Sequence, residues 1–169
     1  EDFPPGSEPE ELNNNFVATS SGAKRFTWPG LSAAFLPRSS NAPDERPRRR
    51  YNQGRLMGGG SSVNMMGVSR PTQPDLDRWE SMGNPGWSFE DCLPILKRIE
   101  NDLDYGDAEI HGNDGLLTVR RKLSLDDPMD PPMRAFIDRA VALGFPLTPD
   151  GNVPNRSGIS PTASNVKDG

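Results

Sequence analysis

The chain has 169 residues, and its 19 Lys and Arg against 24 Asp and Glu give a net charge of −5. This balance argues against a general nucleic-acid binder, because affinity for phosphate backbones depends on a positive field. The single cysteine excludes an internal disulfide, one Cys with one His excludes a zinc site built from those ligands, and no apolar run approaches the length of a membrane span. With 17 Gly, 18 Pro and only 33% hydrophobic residues, we expect a modest core and a chain that lies across the surface of something larger.

Residues 1–50 are predicted to form an extended, mostly irregular arm, because Pro and Gly interrupt them and no period of 3.6 or 2 is sustained. Residues 15–19 are the only plausible strand there. Four apolar side chains are expected to pin the arm to the body by packing: Phe26, Trp28, Phe35 and Leu36. The arginine-rich run 46–50 could neutralise phosphate, but a solvated or locally ion-paired run is favoured because Asp44 and Glu45 lie beside it.

Residues 54–64 read Gly-Arg-Leu-Met-Gly-Gly-Gly-Ser-Ser-Val-Asn. With few Cβ atoms in the way, the backbone N–H groups of such a run can approach a ligand closely. The apolar stretch 63–68 could open a helix just after the loop, and its N-terminus would suit a phosphate or a polarised ring edge. Composition alone equally permits a flexible glycine-serine turn.

Residues 73–101 are predicted to be helical in two pieces. The first runs from Gln73 to Met82 and is ended by Gly83, and the second is opened by Ser88 as its N-cap. Pro94 should bend the first turns of the second helix. Five of its residues fall at helical spacing and should face a core: Phe89, Cys92, Leu93, Leu96 and Ile99. Trp79 and Trp87 flank the intervening turn and are expected to hold the two helices together.

The remaining residues predict few regular elements. Leu116 to Arg121 alternates as a strand, and a helix opened by Pro131 and Pro132 should be closed by Gly144. A short strand is expected near 163–166. Apolar residues at helical spacing mark the helix's packed face: Met133, Phe136, Ile137, Ala140 and Val141. An acidic cluster lacks the pattern of an EF-hand loop and is predicted to be solvated surface: Asp102, Asp104, Asp107 and Glu109.

The spacing of the glycine run resembles the first signature of the glucose-methanol-choline (GMC) flavin oxidoreductases. The residues that carry the resemblance are Gly54-Arg55, Gly58-Gly59, Gly60-Ser61, Val63, Asn64, Pro71 and Asp77. Met57 and Val68 depart from the signature, each as one apolar residue for another. The stretches 75–79, 83–88 and 111–119 also look like the segments that follow the flavin loop in that family.

Two features of the family are missing from these residues. No G-x-G-x-x-G phosphate-binding turn occurs, and the only histidine, His111, stands in a landmark that is not the family's catalytic position. We therefore expect an internal, loop-rich α+β segment of a larger flavoenzyme rather than a complete Rossmann domain. Its expected divisions are an arm over 1–50, the flavin loop and helix start over 51–70, and cap or substrate-domain elements over 71–169.

The resemblance implies that the parent enzyme transfers a hydride from an alcohol to flavin N5 while a histidine elsewhere takes the proton. This segment would position the flavin and would contribute no catalytic residue and no metal ligand. The cofactor-binding residues carried over are Leu56, Gly58, Gly59, Gly60, Asn64, Met65, Met66 and Gly67. Some members attach the flavin through a histidine where Val63 stands here, so non-covalent FAD is expected.

An alternative from another class stays open. The glycine loop could be a structural turn in a non-catalytic binding or scaffold module. With no signal peptide visible at Glu1, a cytoplasmic location is favoured, although an internal segment would not show one. The identity of the alcohol, the electron acceptor and the oligomeric state do not follow from the residues.

Overall fold

The computed structural model describes residues 3–4, 6–9, 12, 25–34, 46–121, 123–155 and 157–165. The chain divides into two compact units, Glu1–Met66 and Gly67–Gly169. Helices and small sheets of the described residues form an α+β fold, as the sequence predicts.

The first unit contains a small antiparallel sheet that the sequence analysis did not predict. Strand β1 (Ser32–Ala34) pairs with β2 (Arg48–Arg50), with Ser32 opposite Arg50. Neither strand has an alternating apolar pattern, so its pairing depends on polar contacts such as the Arg48 Nη2–H bond to the Ser32 carbonyl, 2.9 Å long. The arm therefore contains two short paired strands.

The predicted packing residues of the arm have different outcomes. Phe26 is buried, with 1% of its surface exposed, as predicted. Trp28 is half exposed, and the Arg55 guanidinium carbon lies 6.0 Å from the centre of its ring. Phe35, Leu36 and the strand expected at 15–19 lie outside the described residues.

The second unit begins with two helices, and the point where each helix starts confirms the prediction. Helix α1 (Gln73–Ser81) ends before Gly83, and helix α2 (Phe89–Ile99) contains Pro94. The Ser88 hydroxyl caps α2 by accepting a hydrogen bond from the Asp91 N–H, 3.1 Å long. The rings of Trp79 and Trp87 lie 5.1 Å apart edge to face, so they join the two helices as predicted.

The predicted core face of α2 is only partly correct. Phe89 is buried and Cys92 is half-buried, but Ile99 is 47% exposed. The helix also stops at Ile99, and Glu100 to Asp102 form strand β3 instead of the last helical turn. The strand forms because the carboxylates of Glu100 and Asp102 are buried among cationic side chains, as described below.

Strand β3 belongs to a three-stranded sheet. It pairs in parallel with β4 (Leu117–Arg121), and β4 pairs antiparallel with β5 (Ala163–Ser164). Val119 in the centre of β4 is completely buried. Both β4 and the short last strand confirm the predicted positions, although β5 has only two residues.

Helix α3 (Pro131–Ala142) also confirms its prediction, because Pro131 and Pro132 open it and Gly144, with φ +92°, follows its end. Its apolar face is mostly uncovered. Only Ile137 is buried, whereas Met133 and Phe136 are 50% and 65% exposed. Every helix formed by the described residues is too short or too polar to cross a lipid bilayer.

Candidate functional site

The glycine run folds into a tight loop that depends on two of its glycines. A Cβ on Gly54 would lie 2.1 Å from the Gly59 carbonyl oxygen, so Gly54 lets the loop fold back on itself. A Cβ on Gly58 would lie 2.4 Å from the Ser62 Oγ, and Gly58 also has φ +84°. These two glycines serve the loop's own conformation.

Hydrogen bonds within the loop hold it closed. Residues Gly59–Ser62 form a short 3-10 helix. The Ser61 hydroxyl donates to the Gly58 carbonyl at 2.6 Å, and the Ser62 hydroxyl donates to the Met57 carbonyl at 2.8 Å. Because both serine hydroxyls donate within the loop, the loop is braced from inside.

Three further glycines face open space. A Cβ added to Gly59, Gly60 or Gly67 would meet no heavy atom of the described residues within 4 Å. Gly59 has φ +57°, whereas Gly60 and Gly67 lie outside the left-handed region, so no contact within the described part of the chain requires glycine at these last two positions. Exposed backbone without side chains can be approached closely by a flat ligand.

The helix expected after the loop does not form. The Asn64 Oδ1 accepts a hydrogen bond from the Met66 N–H, 2.8 Å long, and Met66 has φ +56°. A left-handed residue ends an α-helix, so the chain turns here. In the second unit, Gly67 then forms a bridge with Ser164, and the Val68 N–H donates to the Ala163 carbonyl. The prediction of a helix N-terminus facing the ligand was therefore wrong.

The predicted cofactor residues all lie at or near the surface. Gly58, Gly60, Asn64, Met65 and Gly67 are exposed, and the remaining three are half-buried: Leu56, Gly59 and Met66. Seven of them belong to the first unit, and Gly67 is the first residue of the second.

A cluster of charged side chains, separate from the glycine loop, was not predicted from the sequence. It lies inside the second unit and pairs three buried carboxylates with three cationic groups: Glu100, Asp102, Asp150, Arg70, Arg121 and His111. We call it the buried charge network. The alternation of β4 was a usable signal, because Arg121 lies two residues after Val119 on the same face.

Within the network, each carboxylate contacts more than one donor. The Asp102 oxygens lie 2.7 and 2.6 Å from Arg121 Nη1, and Asp150 Oδ1 lies 2.6 Å from Arg121 Nη2. Glu100 Oε2 is bonded by Arg70 Nη2 and by the N–H of Gly112. Asp102 is 3% exposed, so its prediction as solvated surface was wrong. The other members of the predicted acidic surface are exposed as expected: Asp104, Asp107 and Glu109.

His111 is the central cation of this network. It lies in a loop and is 3% exposed. Burial alone would lower its pKa, but the hydrogen bonds with Asp150 and Glu100 outweigh burial and raise the pKa to about 9. The same contact with His111 is the largest of the interactions that lower the pKa of Asp150, against the effect of burial. Hydrogen bonds with Asp102 and Asp150 likewise outweigh burial and raise the pKa of Arg121.

Three side chains of the network have the types and spacing of metal ligands. One ligand atom each from Glu100, Asp102 and His111 lies within 4.8 Å of the others. Arg70 and Arg121 already neutralise the carboxylates, and a divalent cation would add charge beside two guanidinium groups. The donor set therefore fits an ion-paired core better than a metal centre.

Comparison with known proteins identifies the family. A family model described as GMC oxidoreductase matches residues 16–167. The chain belongs to the GMC oxidoreductase family. This result confirms the resemblance drawn from the glycine run and its downstream landmarks.

Two curated GMC relatives show how much of such a protein the chain covers. It is 38% identical over 124 residues to a 5-(hydroxymethyl)furfural oxidase of Methylovorus sp. (strain MP688), covering 71% of this chain and 23% of that protein. It is 39% identical over 119 residues to an oxygen-dependent choline dehydrogenase of Vibrio vulnificus (strain YJ016), and the match covers 69% of this chain and 20% of that protein. The chain thus spans less than a quarter of the length of these relatives.

Solved structures show the same fold. A pyridoxine 4-oxidase from Mesorbium loti superposes with a TM-score of 0.78 at 24% identity, covering 99% of this chain and 30% of that chain. A formate oxidase from Aspergillus oryzae RIB40, studied for FAD modification, superposes with a TM-score of 0.72 at 18% identity. The match covers 94% of this chain and 28% of the formate oxidase chain.

Proposed function

We propose that this GMC chain is part of an FAD-dependent oxidoreductase that oxidises a small alcohol, and that the loop at 54–67 positions the flavin. The observation that carries the proposal is the open backbone at Gly59, Gly60 and Gly67, where an added Cβ would meet no heavy atom of the described residues within 4 Å. Gly60 and Gly67 lie outside the left-handed region, so a ligand that occupies this space would explain glycine at these two positions. Family membership supports a flavin as that ligand.

The residues that would hold the flavin are those named from the signature: Leu56, Gly58, Gly59, Gly60, Asn64, Met65, Met66 and Gly67. Bound FAD supplies the hydride acceptor, flavin N5. The chain's part is to hold the ring in one orientation along the main chain and to place peptide dipoles beside it, where they stabilise negative charge on the reduced ring. Val63 offers no nucleophile for covalent attachment, so the FAD would be dissociable.

The substrate class is proposed from the relatives. Two of them are named for the oxidation of 5-(hydroxymethyl)furfural and of choline, each of which carries a primary alcohol. A small alcohol is therefore the proposed hydride donor for the whole enzyme. The chain alone does not select among such alcohols, because it spans so little of its relatives' length.

The proton acceptor would come from another part of the enzyme. His111 is buried, and its two ring nitrogens lie 2.9 and 2.8 Å from carboxylates of Glu100 and Asp150. A histidine held in this way cannot reach a substrate hydroxyl. We therefore propose no catalytic residue in this chain.

The direct experiment is purification of the complete protein followed by identification of any bound cofactor. The proposal expects a yellow protein that releases intact FAD on denaturation and is reduced by small alcohols. A colourless protein that takes up no FAD would support the alternative, a scaffold module with the glycine loop as a structural turn. FAD found covalently attached would contradict only the proposed dissociable binding.

A further inference from the structure

Asn64 and Met66 form a small turn at the end of the flavin loop. The Asn64 Oδ1 accepts the Met66 N–H at 2.8 Å, and Met66 has φ +56°. Few side chains other than Gly, Asn and Asp adopt this left-handed conformation readily, so a methionine there needs compensation. The asparagine supplies it, because its side chain bonds the backbone two residues later.

This contact changes what Asn64 can do for a cofactor. Its amide was expected to touch the flavin directly, but its oxygen is already bonded to Met66. The Met66 N–H is likewise engaged, so it is not free to donate to a ring. The Asn64 oxygen therefore shapes the backbone between Asn64 and Met66.

We propose that Asn64 is a positioning residue for the flavin, which it serves by holding Met66 in the left-handed conformation. This inference rests on the proposed function. The left-handed conformation of Met66 sets the direction of the backbone on either side of it, and this is the part of the loop that the proposal places beside the flavin. Met65, which is 75% exposed, is held at the surface beside this turn.

Asn64 could act on the flavin in two ways, by a direct hydrogen bond or by supporting the turn at Met66, and a single substitution of Asn64 would not distinguish them. Asn64→Ala removes the acceptor and leaves Met66 to adopt the left-handed conformation unaided. Glycine adopts that conformation without steric cost, so Met66→Gly should make the asparagine dispensable. A direct hydrogen bond from Asn64 to the flavin could not be replaced by a glycine two residues away.

The experiment measures FAD binding to the complete protein, by titrating apoprotein with FAD, together with the visible absorption maxima of the bound flavin. The variants are Asn64→Ala, Met66→Gly, the double variant and Asn64→Asp, which keeps an oxygen acceptor. Asn64→Ala should weaken FAD binding about tenfold, the order expected from the cost of an unsupported left-handed residue, and should shift the absorption maxima. The double variant should bind FAD within about threefold of the Met66→Gly single variant and share its spectrum, and Asn64→Asp should bind FAD more tightly than Asn64→Ala.

Three other outcomes would each contradict one part of this account. If Asn64→Ala weakens FAD binding as much in the Met66→Gly background as in the wild-type background, Asn64 acts by direct contact and the positioning role is wrong. If Asn64→Ala binds like wild type, the turn has no role in flavin binding. A wild-type protein that takes up no FAD would contradict the proposed function itself. This outcome differs from the other two, in which the wild-type protein still binds FAD.

Discussion

The imidazole of His111 lies between two carboxylates, with Nε2 at 2.8 Å from Asp150 Oδ2 and Nδ1 at 2.9 Å from Glu100 Oε2. A neutral imidazole carries one N–H and can donate to only one of them. Both contacts are satisfied only by the imidazolium, which also balances the charge of three carboxylates against two arginines. The second unit therefore folds around a histidine that is charged at neutral pH.

The first prediction is that stability decreases as pH rises from about 6.5 to about 9. The pKa of His111 is raised from 6.5 to about 9 in the folded protein, so its contribution is complete below pH 6.5 and is lost as pH rises through 9. The full loss should be on the order of 3 kcal/mol in the free energy of unfolding. Urea unfolding at a series of pH values measures it.

The matched control is His111→Gln, which cannot titrate. Its free energy of unfolding should be lower than that of the wild type at pH 6 and should approach the wild-type value above pH 9. A wild-type protein whose stability relative to His111→Gln is constant from pH 6 to 10 would show that His111 is not the charged centre of the network.

The second prediction concerns turnover in the complete enzyme. Because the ring nitrogens of His111 are occupied by carboxylates, His111→Gln should leave kcat within a few-fold of wild type at a temperature where both are folded. Steady-state kinetics with a small alcohol checks this. A decrease of several orders of magnitude, with FAD still bound, would mean that His111 is the base after all.

Much of the local fold was predictable because short-range rules determine it. Ser88 caps α2, Gly144 follows α3, and the alternation of 117–121 gives a buried strand. The family was predictable for a different reason, because many residues in and after the glycine run match the family signature at the same spacing.

The errors came from contacts between residues distant in the sequence. Glu100 and Asp102 read as a helix end and a solvated surface, but Arg70 and Arg121 neutralise them from 30 and 19 residues away. Similarly, the apolar run 63–68 suggested a helix, and a single hydrogen bond from the Met66 N–H to Asn64 makes it a turn. Whether the loop binds flavin as proposed depends on groups that the chain does not contain.

The third prediction is that the 169 residues produced alone will not turn over any alcohol and will bind FAD poorly. The chain spans 23% of the related 5-(hydroxymethyl)furfural oxidase, and it has no G-x-G-x-x-G turn for the pyrophosphate of FAD. Incubation with FAD, gel filtration and an alcohol-dependent dye-reduction assay test this. Turnover by the isolated chain would show that a base and an adenosine site lie within it.

The glycine loop offers a matched set of substitutions for the central claim. Gly59 and Gly30 both have positive φ, +57° and +75°, and a Cβ added at either would meet no heavy atom within 4 Å among the residues that the structure describes. Valine therefore imposes similar backbone strain at both positions, and only Gly59 belongs to the proposed flavin surface. Gly60 also faces open space but lies outside the left-handed region, so Gly60→Val tests the space without that strain.

The deciding measurement is the ratio of flavin to protein absorbance in the purified complete protein for Gly59→Val, Gly60→Val and Gly30→Val. If the backbone at 59–60 lies against FAD, the first two variants should lose most of their flavin while keeping a wild-type circular dichroism spectrum, and Gly30→Val should keep its flavin. Full flavin occupancy in both Gly59→Val and Gly60→Val would contradict the assignment of this loop as the flavin-binding surface.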